Sequence, residues 1–253
     1  MTRFPLLLAA LALVTVQSLP AWQETLTPGQ PGPFPEVSPF AATFKIGWSE
    51  IEAASARAEI SYKGTQVALD AGGGTDGLAR SLYQLDATFQ GTVDRPTLHT
   101  IRSDQVETYA DRSLTTIVTG SNGTLRTFSD PVPPGKKPAK WKDVKIQPVR
   151  DFFAGMLFIR SQPLAPGETV RLLMFPGGSS FLVEIQSAGA RTIHLDSGPR
   201  DALQLNLKIQ RVNHKKGDTL EPHSKFRSGK IWLSNDTERI PLRAEVDIFI
   251  GYV

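Results

Sequence analysis

Gly72-Gly73-Gly74-Thr75-Asp76-Gly77 matches the pattern G-x-G-x-x-G. It follows a strand-like run and precedes a helix-like one. Asp94 lies about twenty residues further on, where a dinucleotide-binding fold places the acid for its ribose. That chemistry needs a parallel βαβ unit, so that the pyrophosphate meets the helix N-terminus. The segments downstream alternate instead as two-faced antiparallel strands. The glycine run is therefore expected to be a flexible strand-to-helix turn, with no cofactor. No Gly-Lys-Ser/Thr follows it, so it is not a phosphate loop either.

The other chemistry-bearing residues are scattered. His99, His194, His214 and His223 make no short metal-ligand spacing with one another. His214 and His223 share a stretch with Asp218 and Glu221, which reads either as a loose donor set or as a solvated loop; no metal is expected. There is no G-x-S-x-G nucleophile elbow, and spacing alone brings no serine, histidine and aspartate together, so no catalytic residue is assigned. Cysteine is absent, which excludes a disulfide scaffold, a thiol nucleophile, a thiolate metal site and a lipid-modified N-terminal cysteine. Lys136, Lys137, Lys140, Lys142 and Lys145 surround Trp141. Cations interleaved with an aromatic ring suit anionic lipid head groups, lipopolysaccharide or a cell-wall polymer. Lys137, Lys140, Trp141 and Lys142 are the candidate contacts, against the alternative of a solvated loop. Asn122-Gly123-Thr124 and Asn235-Asp236-Thr237 match a glycosylation pattern, and turn chemistry explains both without modification.

The start of the chain sets the compartment. Met1 to Ala21 reads as a signal peptide: Arg3 is the positive end, and Phe4 to Val16 is apolar but short of the roughly 18 to 20 residues that span a bilayer. Cleavage after Ser18 and cleavage after Ala21 fit comparably. The expected location is periplasmic or secreted, with no transmembrane segment after leader removal. Nucleic acid is not an expected partner there, and a formal net charge of +3 over 253 residues gives it no support. Residues 22–39 are rich in proline and glycine and read as an extended linker. Residues 40–253 then form one domain.

Within that domain, apolar residues recur at every second position. Phe44, Ile46 and Trp48 share one face; so do Ala58, Ile60 and Tyr62, and, later, Leu203, Leu205, Leu207 and Ile209. Lys63-Gly64 and Asn122-Gly123 supply tight turns, and Ala188-Gly189-Ala190 reads as another. Two helices are expected. One runs over 78–89, with Leu78, Leu82, Leu85 and Phe89 on a stripe; the other starts at an Asp151 N-cap and ends near Arg160. The chain closes on Gly229 to Ser234, an Asn235-Asp236 turn, and a strand in which Leu242, Ala244, Val246, Ile248 and Ile250 alternate with polar residues. Strands at this spacing predict a mainly β fold, an antiparallel barrel or strongly curved sheet with two packed helices.

Three pieces carry a family resemblance. Trp232-Leu233-Ser234 with Asp236, Arg239 and Pro241 forms a W-L-S-x-D-x-x-R-x-P pattern. Asp151 to Arg160 is a helix opened by aspartate and closed by arginine. Phe44 to Gly64 is an opening strand pair. Together they resemble the exported bacterial domain-of-unknown-function family 3108. The resemblance implies a secreted or periplasmic β-rich domain and no particular activity; the lysine-rich loop is a departure from it. Asp151, Arg160, Trp232, Ser234, Asp236, Arg239 and Pro241 have a structural account: Asp236 accepts turn N–H groups, Arg239 pairs with it or with a neighbouring strand, and Trp232 covers one end of the core.

The expected function is non-catalytic binding of an apolar or amphipathic envelope ligand, or docking on an envelope protein. An envelope hydrolase of unrecognised type and a purely structural or assembly module are the alternatives.

Overall fold

The structure is a computed structural model and describes residues 20–248, apart from 35, 49–50, 131–138 and 225. The leader therefore lies outside the described residues up to residue 19, as do Lys136, Lys137 and the last residues of the closing strand. The described chain is mainly β, in two antiparallel sheets. The first is an eight-stranded meander: β1 (Phe40–Trp48), β2 (Ile51–Lys63), β3 (Gln66–Thr75), β4 (Leu85–Asp94), β5 (Thr100–Tyr109), β6 (Ser113–Ser121), β7 (Thr124–Asp130) and β8 (Lys142–Asp143), each paired with the next. The second is six-stranded. Its order is β14 (Pro241–Ile248), β13 (Phe226–Ser234), β11 (Gly198–Asn213), β10 (Phe181–Leu195) and β9 (Thr169–Met174), with β12 (Thr219–Pro222) added on β11.

The sheets stay open. β1 and β8 are the edges of one, and β14 and β9 of the other. The expected barrel or strongly curved single sheet is thus corrected to two separate sheets. The reason lies in helix α2 (Phe152–Ser161), which follows β8 and precedes β9 in the chain. A helix apolar on most of its circumference must be covered on more than one side. Phe153, Ala154 and Leu157 pack on Ile60, Val67, Leu69 and Val93 of the first sheet. Phe158 and Ile159 pack on Val170, Leu172, Val183, Ile185, Leu205 and Leu233 of the second. Gly155 permits the close approach to β9: a Cβ there would stand 2.8 Å from Met174 Cε.

Several expectations about elements are corrected as well. The helix predicted over 78–89 is one short helix, α1 (Gly77–Leu82), followed by β4. α1 buries none of its residues, and Leu82 is 81% exposed, so only α2 packs as a core helix. Gly189 is not a turn. β10 runs through it with a register shift beside β11, and the chain reverses between Leu195 and Gly198. The hairpin turns at Gly64 and at Asn122-Gly123 form as their chemistry demands, with positive φ at all three residues.

The proline-rich stretch before β1 is extended and packed. Thr27 N donates to Arg171 O at 2.8 Å, Gly32 N to Ser161 Oγ at 3.0 Å, Phe34 N to Ser161 O at 3.0 Å and Ser38 N to Glu238 Oε2 at 2.9 Å. Val37 is buried with the α2 cluster, and Tyr62 donates its hydroxyl to Val37 O. The stretch runs as a strap along α2, from Gly29 beside Arg150 to Gly32 and Phe34 at Ser161.

Candidate functional site

The site is built on the C-terminal end of α2. A buried helix end must find partners for its last four carbonyls, which have none within the helix. All four find one. Phe158 O accepts from Ser161 Oγ at 2.6 Å, and Ile159 O from Gln162 N at 3.1 Å. Arg160 O accepts from Arg239 Nη1 at 2.8 Å, and Ser161 O from Phe34 N at 3.0 Å. Arg239 also donates to Gln162 O and, at 2.7 Å, to Pro163 O, and its guanidinium stacks 3.8 Å over the Phe34 ring. The negative end of the helix dipole favours this cation.

The closing turn holds Arg239 in place. Asp236 Oδ1 accepts from Ser234 Oγ at 2.7 Å and from the N–H groups of Glu238 and Arg239, both at 3.0 Å. Ser234 Oγ in turn accepts from Ile240 N at 2.8 Å. This network supports Arg239 in a left-handed backbone conformation, φ 49°, which costs energy for a non-glycine residue. Asp236 therefore takes Arg239's N–H, and the Arg239 side chain goes to the helix. Trp232 is buried on the opposite face of β13 from Ile231 and Leu233, against Ile193 and Ala202, with Arg243 5.5 Å over its ring. Pro241 opens β14 opposite Leu233.

The N-terminal end of α2 is closed locally. Asp151 Oδ1 accepts from Ala154 N at 2.8 Å, and Asp151 N donates to Thr100 Oγ1 at 3.0 Å. Burial pushes the Asp151 carboxyl above its ordinary range, against the pull of the Ala154 N–H. Next to it Arg150 is buried with its charge over the Phe158 ring, donating to Gly29 O at 2.6 Å, and burial pushes its guanidinium down to about 10.

Between the sheets, alongside α2, lies a cavity of about 580 Å³. Phe40, Phe44 and Ile60 of the first sheet face Val183, Ile185, Leu205, Leu207 and Ile231 of the second across it, with Phe152, Met156 and Ile159 of α2 between them. Its few polar walls gather at the closing turn: Arg160, Glu238, Arg239 and Arg243, with His223 elsewhere on the lining. Arg160 is 3% exposed. Its Nη2 donates to Glu238 O at 2.5 Å, while Nε and Nη1 have no hydrogen-bond partner among the described residues. Burial lowers the pKa of its guanidinium, Glu238 pulls it back up, and the positive charge of Arg239 lowers it further.

A family model described as a protein of unknown function, DUF3108, matches residues 41–253. The chain belongs to the DUF3108 family. No curated protein and no solved structure matches it. In this DUF3108 chain the three pieces that carried the resemblance converge on α2. Its N-cap is Asp151, its C-terminal carbonyls are capped by Arg239, and its Phe153 and Leu157 pack on the opening strands.

The remaining candidates fall elsewhere. Gly72, Gly73 and Gly74 are interior residues of β3, paired with β2 on one side and β4 on the other. A Cβ on Gly73 would stand 2.4 Å from Ser55 O, and one on Gly74 2.4 Å from Asp86 Oδ1, so the run serves strand packing. The expected turn is corrected to a strand. Lys140, Trp141 and Lys142 sit at the β8 edge of the first sheet, the edge opposite β1; none lines the cavity, and Lys137 lies outside the described residues. Trp141 rests on Phe128, with ring centroids 5.7 Å apart.

His214, which the sequence reads as part of either a loose donor set or a solvated loop, has two side-chain partners that its spacing does not signal. Its Nδ1 lies 2.6 Å from Asp218 Oδ1, and its Nε2 lies 3.4 Å from Ser180 Oγ. Ser180 precedes β10, whereas His214 and Asp218 follow β11, so only the β9–β11 packing could reveal the trio. Ser180 is 1% exposed and is absent from the cavity lining. His223 packs against Phe181 and Phe226 and accepts from Phe226 N at 2.9 Å. No group of three or more potential metal donors occurs among the described residues, and none of their helices is long and apolar enough to cross a membrane.

Proposed function

We propose that the protein is a non-catalytic binding or carrier domain for an apolar or amphipathic ligand held between its two sheets. The observation that carries this reading is the cavity. About 580 Å³ is bounded almost wholly by apolar side chains from both sheets and α2, within the size range of sites that enclose small ligands. Close packing is the norm for a core, so an apolar cleft of this size left between two sheets beside a well-packed helix is a costly feature unless something fills it. The leader-like Met1 to Ala21 supports placing the protein, and hence the ligand, in the cell envelope or outside the cell. The test is titration of the purified protein with the neutral apolar dye N-phenylnaphthylamine, with organic extraction and mass spectrometry of protein taken from its native compartment. Saturable dye fluorescence and a co-purifying amphiphile are the expected results. Absence of both would overturn the reading.

The second reading is a hydrolase, favoured by the Ser180–His214–Asp218 arrangement. Its order of contacts is that of a nucleophile, a base and an orienting acid. The burial of Ser180 weighs against it, because a nucleophile must meet substrate. A fluorophosphonate probe run beside the dye titration decides the matter: covalent label at Ser180 establishes the hydrolase, and a blank retires it.

A further inference from the structure

We propose that the occupant of the inter-sheet cavity is an anionic amphiphile, its hydrocarbon chain against the apolar walls and its carboxylate or phosphate head at Arg160. The inference rests on the cavity being a ligand site, as proposed above.

Arg160 and Arg239 line one end of the cavity with a single acidic residue, Glu238; Arg243 also borders it, but its guanidinium lies over Trp232 on the far face of β13. Arg243 is paired with Glu245 at 2.5 Å. Arg239 directs Nη1 and Nη2 to the carbonyls at the end of α2 and stacks on the Phe34 ring, which leaves only its Nε without a hydrogen-bond partner among the described residues. Glu238 makes no ion pair within 4.0 Å among the described residues, and its Oε2 accepts from Ser38 N at 2.9 Å. That leaves Arg160, a buried cation tied by one hydrogen bond, with Nε and Nη1 unpartnered among the described residues.

A buried guanidinium with idle donors is unfavourable unless an acceptor reaches it, and a charged acceptor serves best. Both atoms, Nε and Nη1, are buried, so a ligand head meets them by a reorientation of the Arg160 side chain, which a single hydrogen bond anchors. Beyond this wall the lining is nearly all apolar, so the complementary ligand carries its charge at one end and hydrocarbon over the rest. A neutral hydrocarbon or alcohol would fill the same walls and leave Arg160 as it stands.

Displacement of N-phenylnaphthylamine from the full-length mature protein tests this, using dodecanoate, dodecyl phosphate and dodecanol below their micellar concentrations. Dodecanoate, dodecyl phosphate or both should compete at least about tenfold better than dodecanol, the worth of a charge-assisted hydrogen bond. The stronger of the two acids identifies the head group as carboxylate or phosphate. Arg160→Gln should remove that preference, and Arg160→Lys should keep most of it. Equal competition by acid and alcohol in the wild type overturns the anionic head but leaves the apolar site standing. This comparison needs no variant, so it decides the question even if Arg160→Gln fails to fold. A protein that takes up neither dye nor amphiphile overturns both readings.

Discussion

The two ends of α2 solve the same problem in opposite ways. At the N-terminal end, the Ala154 N–H meets the side chain of Asp151, the residue immediately before the helix. At the C-terminal end, Ser161 and Gln162 meet the Phe158 and Ile159 carbonyls locally, but the Arg160 and Ser161 carbonyls are met by Arg239, 79 positions along the chain, and by Phe34 of the strap. The first end is a local motif that would form in any context that formed the helix. The second is a tertiary joint that ties strap, helix and closing turn together. The difference teaches where this fold depends on long-range assembly, and it is at that joint that the cavity carries its charge.

The largest expected effect comes from breaking the tertiary joint. Arg239→Ala removes donors to three carbonyls, two of them buried, and the contact with Phe34. It should lower stability by about 3 kcal/mol or more, read as a lower urea midpoint. It should also raise hydrogen exchange at Gly32 and Phe34, whose N–H groups meet Ser161. A protein that unfolds at the wild-type midpoint would mean that the carbonyls find other partners and that the joint is dispensable.

The local end should be more forgiving. Asp151→Ala loses the cap and should cost about 1 to 2 kcal/mol, with no change in exchange at the strap. Asp151→Asn keeps an acceptor oxygen for Ala154 N and discards a carboxylate whose pKa burial holds up, so its urea midpoint should equal or exceed the wild type's. A loss as large as that of Asp151→Ala would show that the charge itself supports the helix end.

The smallest effect belongs to Asp236, the turn residue behind Arg239. Burial raises its pKa, but the Ser234 hydroxyl and the Arg239 and Glu238 N–H groups outweigh that and set it below the ordinary range. A carboxylate with a depressed folded pKa stabilises above its unfolded value near 3.9, and that contribution is lost as pH falls through the folded value. Because the side chain is exposed to screening by solvent, Asp236→Ala should cost only about 1 kcal/mol at neutral pH. The gap between the two unfolding midpoints should shrink as pH falls below the ordinary carboxylate value and close once pH is below the depressed folded value. A gap that persists in acid would assign the loss to something other than the ionised carboxylate.

Several misreadings follow from one limitation of periodicity. Leu85, Ala87, Phe89 and Val93 alternate as a strand, but Leu85 and Phe89 also complete a helical stripe with Leu78 and Leu82, and only pairing with β3 and β5 decides between them. Gly189 has the composition of a turn, yet β11 runs long enough to carry β10 past it. The prolines of residues 22–39 forbid regular structure, and composition does not distinguish a loose spacer from a strap. The Asp151 cap and the Asp236 turn were legible because each is satisfied within a few residues of itself.

The sequence by itself determined the strand-rich antiparallel character, the helix opened by Asp151, the turns at Gly64 and Asn122-Gly123, and the closing motif from Trp232 to Pro241. All of these rest on backbone preferences and side-chain alternation over ten residues or fewer. Tertiary structure alone decided that the sheets stay open around α2 and that a cavity remains between them. It also decided that Arg239 serves the helix while Arg160 is left with idle donors, and that Ser180, His214 and Asp218 meet. The physical reason is that alternation fixes which side chains share a face, whereas closure, cavities and unmatched charge depend on which faces meet, and residues as far apart as Phe34, Arg160 and Arg239 must come together for that.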